Sequence, residues 1–329
     1  METQEQELFM KDGYRFLHYL GQGTFGILYC VYSDMYKKRF AIKKIREKYF
    51  HHSELECLTS IDDIRIVRLY NTYNFKGYEY LLMEYCPFDL ERIVLSNRNM
   101  QPEEIKKYCR EAVLCIKACH DMNIAHCDIK PANFMTDEYG RLKIGDFGLA
   151  TILKDTHVRN IYTGTKIMMA PEIYEQNGYD AMAADIWALG CTLYFIATGK
   201  YPFFVVDPKE LVQLISEAKY DGSLIKDILL RDVIARCLTI EPKDRPTVND
   251  ILEMSYFKSN EVIQNKLCQI NKSCGISKFY SNNEIITPLY SLRKSTYRLQ
   301  SQILPHKNGS NRLKLLKSPS DSSKSLVLK

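Results

Sequence analysis

The chain has 329 residues, of which 46% are apolar and 26% are charged, so it is typical of a globular protein and long enough for two lobes with their own cores. The polar, acidic N-terminus METQEQELFM argues against a secretory signal, and the longest apolar run, residues 186–197, is too short to cross a bilayer. The eleven cysteines of such an unexported chain are expected to be reduced thiols.

The periodicity of apolar residues changes along the chain. From residue 14 to about residue 85, apolar and polar residues alternate, and aromatic and β-branched residues are frequent. This pattern predicts strands at residues 15–33, 39–45 and 78–85, with one short helix at residues 53–61. Beyond residue 100 the spacing is helical, and it predicts helices at residues 104–122, 180–199 and 229–242. We therefore predict an α+β fold with a small β-rich N-terminal lobe that carries one helix and a larger α-helical C-terminal lobe.

Charge is divided unevenly between the body of the chain and its C-terminal part. From Lys258 onward there are 13 lysine and arginine residues against 3 aspartate and glutamate residues, which leaves 32 against 37 for the first 257 residues. Residues 258–329 are also rich in serine, so we expect a basic, largely disordered tail. An acidic partner, a nucleic acid or an anionic membrane could each bind it, and a solvated tail without a partner fits equally well.

Several short motifs follow one another in a characteristic order. They are LGQGTFG (20–26), FAIKK (40–44), HCDIKPANF (126–134), IGDFGLA (144–150), MAPE (169–172), DIWALG (185–190) and PKDRPT (242–247). In order and spacing these motifs resemble the eukaryotic protein kinases of the Ser/Thr type, and the resemblance covers residues 14–257. It implies a bilobal protein-kinase fold with an N-lobe at about 14–86 and a C-lobe at about 87–257. Residues 1–13 would be an N-terminal extension.

The resemblance implies an ATP site in the N-lobe and in the hinge that joins it to the C-lobe. Lys43 would hold the α- and β-phosphates, positioned by Glu54, with Glu56 as the alternative. Glycines let a hairpin backbone approach the phosphates without Cβ clashes, and the pattern GxGxxG is formed here by Gly21, Gly23 and Gly26. An apolar slot with a few polar anchors would bind the adenine and ribose, formed by Leu20, Leu28, Ala41 and Met135 with Met83 at the back of the pocket. The Glu84 carbonyl and the Cys86 backbone would pair with the adenine edge, and Asp89 would reach the ribose.

The reacting groups implied by the resemblance lie in the second half of the domain. Asp128 would orient the substrate hydroxyl and accept its proton, and Lys130 would offset the charge of the γ-phosphate. Asn133 and Asp146 would bind the metal ion, and their hard oxygen donors suit Mg²⁺ or Mn²⁺. Thr165 stands where Ser/Thr-specific kinases contact the catalytic aspartate and lysine, which favours protein serine and threonine hydroxyls as substrates.

Two further features of the family concern the platform below the catalytic loop. Arg245 is placed to pair with Glu172 of MAPE. In the family the DIWALG residues brace the catalytic loop from below, and here they include Asp185, Trp187 and Gly190.

Cys127 stands where most members of the family carry an arginine. In the family that arginine pairs with a phosphate on the activation segment, the stretch between DFG and MAPE. Cys127 has no such charge, so we predict that the segment does not need phosphorylation to become ordered. Thr151, Thr156 and Thr163 remain candidate phosphorylation sites. The catalytic carboxylate next to Cys127 is expected to raise the pKa of the thiol.

Three functions stay open at this point. The first is an ATP-dependent serine/threonine protein kinase. The second is a pseudokinase or scaffold that binds ATP and partners without transfer, which is disfavoured because Lys43, Asp128, Asn133 and Asp146 are all present. The third is a Wee-like kinase that acts on cyclin-dependent kinases, which also lacks the arginine, although Thr165 argues against the tyrosine-directed members. We expect an intracellular location, in the cytoplasm, the nucleus or both.

Overall fold

A computed structural model describes residues 1–23, 26–153 and 157–258. Its α-helices are α1 (Thr3–Lys11), α2 (His52–Ser60), α3 (Leu90–Ser96), α4 (Pro102–His120), α5 (Pro171–Glu175), α6 (Ala181–Thr198), α7 (Pro208–Ser216), α8 (Ile228–Cys237) and α9 (Val248–Leu252). Its strands are β1 (Tyr14–Gln22), β2 (Ile27–Ser33), β3 (Lys38–Arg46), β4 (Leu69–Phe75), β5 (Tyr78–Glu84), β6 (Phe88–Asp89), β7 (Ile124–Ala125), β8 (Phe134–Thr136), β9 (Leu142–Ile144), β10 (Thr151–Ile152), β11 (Val158–Arg159) and β12 (Tyr179–Asp180). A small β-rich lobe precedes a larger helical one, which confirms the predicted α+β fold. The predicted tail begins at residue 258, and all of it beyond that residue lies outside the described residues.

Strand β3 lies in the middle of the antiparallel N-lobe sheet, whose order is β1-β2-β3-β5-β4. Alternate residues of a strand face opposite sides of its sheet, and β3 packs on both sides. Ala41 and Ile45 belong to the main core cluster, which also contains residues of α2 and the C-lobe, whereas Phe40 and Ile42 belong to a second cluster on the other face. Lys43 therefore faces α2, and Lys44 faces the opposite side.

The predicted N-lobe strands correspond to β1, β2, β3 and β5, and the predicted helix corresponds to α2. Strand β4 is not predicted by the pattern. It lies at the edge of the sheet, and most of its side chains are exposed, so its sequence LYNTYNF shows no continuous apolar face.

Helix α1 is a second N-lobe helix, so the prediction of one helix in this lobe is incomplete. Phe9 is 1% exposed, and its ring contacts Tyr73 and Tyr80 at centroid distances of 5.1 and 5.4 Å. Glu5 is also buried, where it forms an ion pair with Lys44 and accepts a 2.7 Å hydrogen bond from the Tyr80 hydroxyl. Because the inward face of α1 includes a carboxylate, the helix lacks the apolar stripe that periodicity would detect.

The C-lobe is built around α4 and α6, which correspond to the predicted helices at residues 104–122 and 180–199. Within the described part of the chain, α6 alone is long and apolar enough to cross a membrane by length and composition, but 78% of it is buried inside the protein, as a core helix must be. The third predicted helix, α8, ends at Cys237 instead of Pro242. The proline restricts the residue before it to extended backbone, so the helix stops upstream.

Replacing Glu5 with alanine is expected to lower the free energy of unfolding by about 3–5 kcal/mol, because the Lys44 ammonium would stay buried without its partner. Glu7 is exposed on the same helix, and Glu7→Ala should change this free energy by less than about 0.5 kcal/mol. Urea unfolding followed by circular dichroism measures both values. Equal midpoints for the two variants would contradict the burial of α1 against the sheet.

The contribution of Glu5 should also depend on pH. Burial alone would raise the pKa of Glu5. Hydrogen bonds from Lys44 and Tyr80 lower this pKa by more than burial raises it, so the net pKa is below the ordinary value of 4.5. A carboxylate of this kind stabilises the fold fully above its unfolded pKa, and the contribution is lost as the pH falls through the folded pKa. The stability difference between the wild type and Glu5→Ala should therefore shrink below pH 4.5.

Candidate active site

Lys43 binds two carboxylates that come from different lobes. Its Nζ lies 2.7 Å from Glu54 Oε1 on α2 and 2.7 Å from Asp146 Oδ1 in the DFG motif. Burial lowers the pKa of Lys43, but the charges of Asp146 and Glu54 more than offset this and raise the pKa to about 12. Burial would raise the pKa of Asp146, yet the charge of Lys43 holds it below its ordinary value. Lys43 and Asp146 are therefore both ionised at neutral pH.

The orientation of α2 makes Glu54, and not Glu56, the partner of Lys43. Residues two positions apart point to different sides of a helix. Glu54 is 2% exposed and faces β3, whereas Glu56 faces solvent.

The glycine-rich turn has a packing requirement at Gly26. A Cβ at this position would lie 2.3 Å from the backbone oxygen of Lys44, so β2 can begin this close to β3 only with glycine. Among the described residues, apart from the chain neighbours, no atom lies within 4 Å of a Cβ built at Gly21 or Gly23, so their role at the ATP phosphates stays a prediction. Thr24 and Phe25, at the tip of the turn, lie outside the described residues.

Six apolar residues predicted to surround the adenine come from both lobes and the hinge. They are Leu20 on β1, Leu28 on β2, Ala41 on β3, Met83 on β5, Cys86 after β5 and Met135 on β8. Five of them belong to the main core cluster or pack against it, and Leu28 pairs with Lys43 across the sheet. The structure thus brings these residues to the junction of the lobes, and their contacts with adenine stay a prediction.

The polar anchors of this slot are already engaged with protein groups. The Glu84 carboxylate lies 2.9 Å from Lys143 Nζ, which leaves its backbone carbonyl for the predicted contact with adenine. Asp89 caps α3 by accepting a 2.8 Å bond from the Arg92 backbone nitrogen, so a ribose would have to share this carboxylate. Burial, followed by the charge of Glu84, raises the pKa of Cys86 to about 12, so this thiol is neutral.

Lys143 connects the lobes at the base of the nucleotide slot, and the sequence analysis did not identify it. It lies on β9, and its side chain is 6% exposed. Besides Glu84, its Nζ donates to the backbone oxygens of Ile64 and Ile66, at 2.5 and 3.4 Å. The α2–β4 connection also bonds through its backbone to Ile144, the next residue of β9. One buried lysine thus joins a C-lobe strand, the loop after α2 and the end of β5.

Asp128, the predicted base, is held by three neighbouring side chains. Lys130 Nζ donates to its Oδ2 at 2.7 Å, and Thr165 Oγ1 donates to its Oδ1 at 2.9 Å. Asn133 Nδ2 donates to the Asp128 backbone oxygen at 2.7 Å and to Oδ2 at 3.2 Å. A 3.2 Å bond from Lys130 to Thr165 closes the network. These four predicted residues are therefore brought together as one group.

The two predicted metal ligands fit a hard cation. Because the amide nitrogen of Asn133 faces Asp128, its amide oxygen is directed away from that contact. Asp146 adopts a left-handed φ of 61°, and Lys43 bonds its Oδ1. Carboxylate and amide oxygens are ligands that Mg²⁺ and Mn²⁺ prefer, and Mg²⁺ usually takes one or two protein ligands beside phosphates and water. When bound, the ion would neutralise charge on the phosphates.

Asp185 fixes the backbone of the catalytic loop from below. Its Oδ2 accepts from the His126 backbone nitrogen at 2.7 Å, and its Oδ1 accepts from the Cys127 backbone nitrogen at 2.9 Å. Cys127 has a φ of 61°, a conformation that costs an ordinary residue about 1–3 kcal/mol, so the two bonds hold a strained turn.

The other two DIWALG residues do not brace the loop in the predicted way. Trp187 stacks on Phe203 with ring centroids 5.6 Å apart. Gly190 allows α6 to approach α8, since a Cβ there would lie 2.7 Å from the Cβ of Cys237. Both residues shape the C-lobe core, and only Asp185 bonds the catalytic loop.

The pKa of Cys127 is raised as predicted, but not mainly for the predicted reason. Burial of the thiol is the largest cause, and the charge of Asp185, not of Asp128, comes next. The charge of Arg159 opposes both and lowers the pKa. Arg159 lies on β11 of the activation segment, and the sequence analysis did not single it out. A guanidinium thus lies beside the position at which the loop lacks its arginine.

Glu172 and Arg245 form the predicted pair. Two parallel bonds of 2.7 Å join the carboxylate to Nη1 and Nη2 of the guanidinium, whose side chain is fully buried. The remaining N–H groups of Arg245 donate to the backbone oxygens of Ala183, Thr239 and Ile240. The pair therefore locks the end of the activation segment to the C-lobe.

Replacing Glu172 with alanine should lower the free energy of unfolding by about 3–5 kcal/mol, because Arg245 would remain buried without an anion. Glu175 is exposed on the same helix and is the matched control, for which we expect a change of less than about 0.5 kcal/mol. Thermal unfolding of both variants tests this. A Glu172→Ala variant as stable as Glu175→Ala would contradict the burial of the pair.

Comparison with known proteins agrees with this geometry. Residues 14–257 match the model of the protein kinase domain. Sperm motility kinase 2B of Mus musculus is 35% identical over 61% of this chain and 42% of its own length. Serine/threonine-protein kinase PLK2 of Mus musculus is 33% identical over 72% of this chain and 36% of its own length. CBL-interacting protein kinase 32 of Oryza sativa subsp. japonica is 29% identical over 73% and 57%.

The chain therefore spans between 36% and 57% of the length of these relatives. The family match covers the whole of both lobes, including every residue that is predicted to be catalytic or to bind metal. This chain belongs to the protein kinase family.

Proposed function

We propose that the protein is an ATP-dependent serine/threonine protein kinase that transfers the γ-phosphate of Mg-ATP to protein hydroxyls. The observation that carries the proposal is the closed network of Asp128, Lys130, Asn133 and Thr165. A base, a cation and a metal ligand within one hydrogen-bonded group are what phosphoryl transfer needs, since positioning and charge neutralisation dominate its catalysis.

Each group has a distinct task in this proposal. Asp128 accepts the proton of the substrate hydroxyl, and Lys130, which already bonds Oδ2 of Asp128, neutralises charge on the transferred phosphoryl group. Lys43 holds the α- and β-phosphates in an orientation fixed by Glu54. Asn133 and Asp146 hold the metal ion.

Serine and threonine specificity is supported by Thr165 and by the relatives. The Thr165 hydroxyl bonds both Asp128 and Lys130, so it fixes the pair that meets the acceptor hydroxyl. One relative carries the name serine/threonine-protein kinase.

We also propose that the activation segment needs no phosphate to become ordered. Strands β11 and β12 pair, and the Ala181 backbone nitrogen donates to the His157 oxygen at 2.9 Å. The Tyr162 hydroxyl accepts a 2.9 Å bond from the Gly178 backbone nitrogen, and the Tyr179 hydroxyl donates to the Ile161 oxygen at 2.9 Å. These bonds support the proposal because backbone groups and tyrosine hydroxyls hold the described part of the segment. Thr156 lies outside the described residues.

The location and the role of the tail are proposals as well. We infer an intracellular protein, in the cytoplasm, the nucleus or both, because the nine cysteines within the described residues are free thiols. The excess of 13 basic over 3 acidic residues from Lys258 onward suits an acidic protein, a nucleic acid or an anionic membrane as a partner.

The full-length protein, freed of phosphate with a phosphatase, should transfer phosphate from Mg-ATP to Ser and Thr in a mixed Ser/Thr/Tyr peptide library. Asp146→Asn removes a metal ligand and should abolish transfer. Radiolabelled ATP measures transfer, and mass spectrometry verifies that the enzyme itself starts without phosphate. If the wild type binds ATP but transfers no phosphate, the protein is a pseudokinase or scaffold. If it transfers phosphate only after it has itself been phosphorylated, the proposal that the activation segment needs no phosphate is wrong.

Thr165→Val should lower kcat about tenfold to a hundredfold, because Asp128 and Lys130 lose the hydroxyl that positions them. The KM for ATP should change little, since Thr165 contacts no residue of the nucleotide slot. Thr165→Ser keeps the hydroxyl and serves as the control. A serine variant as slow as the valine variant would show that the hydroxyl is not what matters.

A further inference from the structure

Arg159 is a buried cation without an anion in the described part of the chain. It is 9% exposed, and its Nε and Nη1 are buried without a hydrogen-bond partner there. An arginine side chain is always charged in proteins, and Cys127, its neighbour, is a neutral thiol. Burying a charge without a compensating anion is unfavourable, so this side chain favours an anionic ligand.

Arg159 lines the same cavity as the catalytic groups. The cavity has a volume of about 570 Å³, and its lining includes Asp128, Lys130 and Thr165. An acceptor hydroxyl in this cavity would lie beside Asp128. A ligand group that meets Arg159 can therefore belong to the same molecule as the acceptor hydroxyl.

The lining of the cavity also includes the start of α2, through His51 and Ser53. His51 is the N-cap of α2, and its side chain makes no capping hydrogen bond. The N-terminus of a helix carries a partial positive charge and favours anions. Asp128 is the one carboxylate among the lining residues, whereas Lys130 and Arg159 are cations. Away from Asp128, the cavity is suited to negative charge.

We propose that Arg159 binds an anionic side chain of the protein substrate, a phosphorylated residue or a carboxylate, while a nearby serine or threonine meets Asp128. The inference rests on the proposed kinase activity and names the substrate class of that site: acidic or previously phosphorylated proteins. A phosphate is favoured over a carboxylate, because it is a dianion with three acceptor oxygens for the planar guanidinium.

A substrate anion suits the cavity better than a phosphate on the chain itself. The described part of the activation segment is already held by the β11–β12 pairing and by its tyrosine hydroxyls. Asp128 lines the same cavity, so a phosphate from the activation segment would occupy space beside the group that must meet the acceptor hydroxyl.

The test compares peptides that share one acceptor serine. In each, a phosphoserine, a glutamate or an alanine stands in turn at every position within four residues of the acceptor. The full-length, dephosphorylated protein should have a kcat/KM that is about tenfold to a hundredfold higher for the best phosphoserine peptide than for its alanine counterpart, with glutamate between them. Higher ionic strength should reduce this ratio.

Two variants test whether Arg159 causes the preference for phosphoserine peptides. Arg159→Gln should bring the phosphoserine-to-alanine ratio of kcat/KM close to one. Arg236→Gln makes the same chemical change at an exposed position on α8, and it should keep the wild-type ratio. The melting temperature of Arg159→Gln should not fall, because the charge that it removes has no partner in the described structure. A ratio that is unchanged in Arg159→Gln, or near one in the wild type, would overturn the inference.

A binding measurement separates this inference from the proposed activity. Fluorescence anisotropy of the labelled phosphoserine peptide should report weaker binding to Arg159→Gln than to the wild type, even if neither transfers phosphate. Loss of transfer to every peptide would reject the proposed activity alone. The protein should also be incubated with Mg-ATP beforehand: if self-phosphorylation, located by mass spectrometry, abolishes the preference, the anion is the chain's own phosphate and the substrate proposal is wrong.

Discussion

The contact of Lys43 with Glu54 and Asp146 is the constraint on which the rest of the site depends. Each bond is 2.7 Å long, and the three groups come from β3, α2 and the DFG motif. Opposite charges in contact lower the cost of burying one another, so each of the three side chains supports the position of the others. The position of α2 is thus coupled to the position of Asp146 and so to the metal site. A short helix of nine residues is sufficient here, because its only buried charge is Glu54.

A second set of hydrogen bonds fixes the catalytic loop and Asp128, and these bonds do not require a bound nucleotide. Asp185 holds the backbone of the catalytic loop, and Asp128 is held in turn by Lys130, Asn133 and Thr165. Lys143 connects the two halves by binding Glu84 and the loop after α2. The site is therefore assembled from local networks, each anchored to a rigid strand or to α6, and it does not rely on the missing arginine of the catalytic loop.

The sequence predicts most of this arrangement, and its failures have physical causes. Motifs of adjacent residues, such as HCDIKPANF and DFG, place their own members correctly, since their contacts lie within a few residues or between motifs of known order. The sequence does not identify Arg159 and Lys143, because in it they resemble surface cations and only the tertiary fold buries them. Helix α1 escapes for the same reason, since the glutamate on its buried face is satisfied by a lysine 39 residues away. Polar residues that become buried give no periodic signal.

The adjacency of Lys43 and Lys44 makes the first thirteen residues part of the enzyme and not an appendage. The family match begins at Tyr14, yet a protein shortened to that boundary would lose Glu5 and Phe9. The aromatic face of the sheet around Tyr73 and Tyr80 would then be exposed to solvent. Apolar patches of this kind promote self-association. Any shift of β3 that relieves Lys44 would also move Lys43 away from Glu54 and Asp146. Domain limits drawn from family similarity alone would thus yield a protein that is prone to aggregate, although every predicted catalytic residue is present.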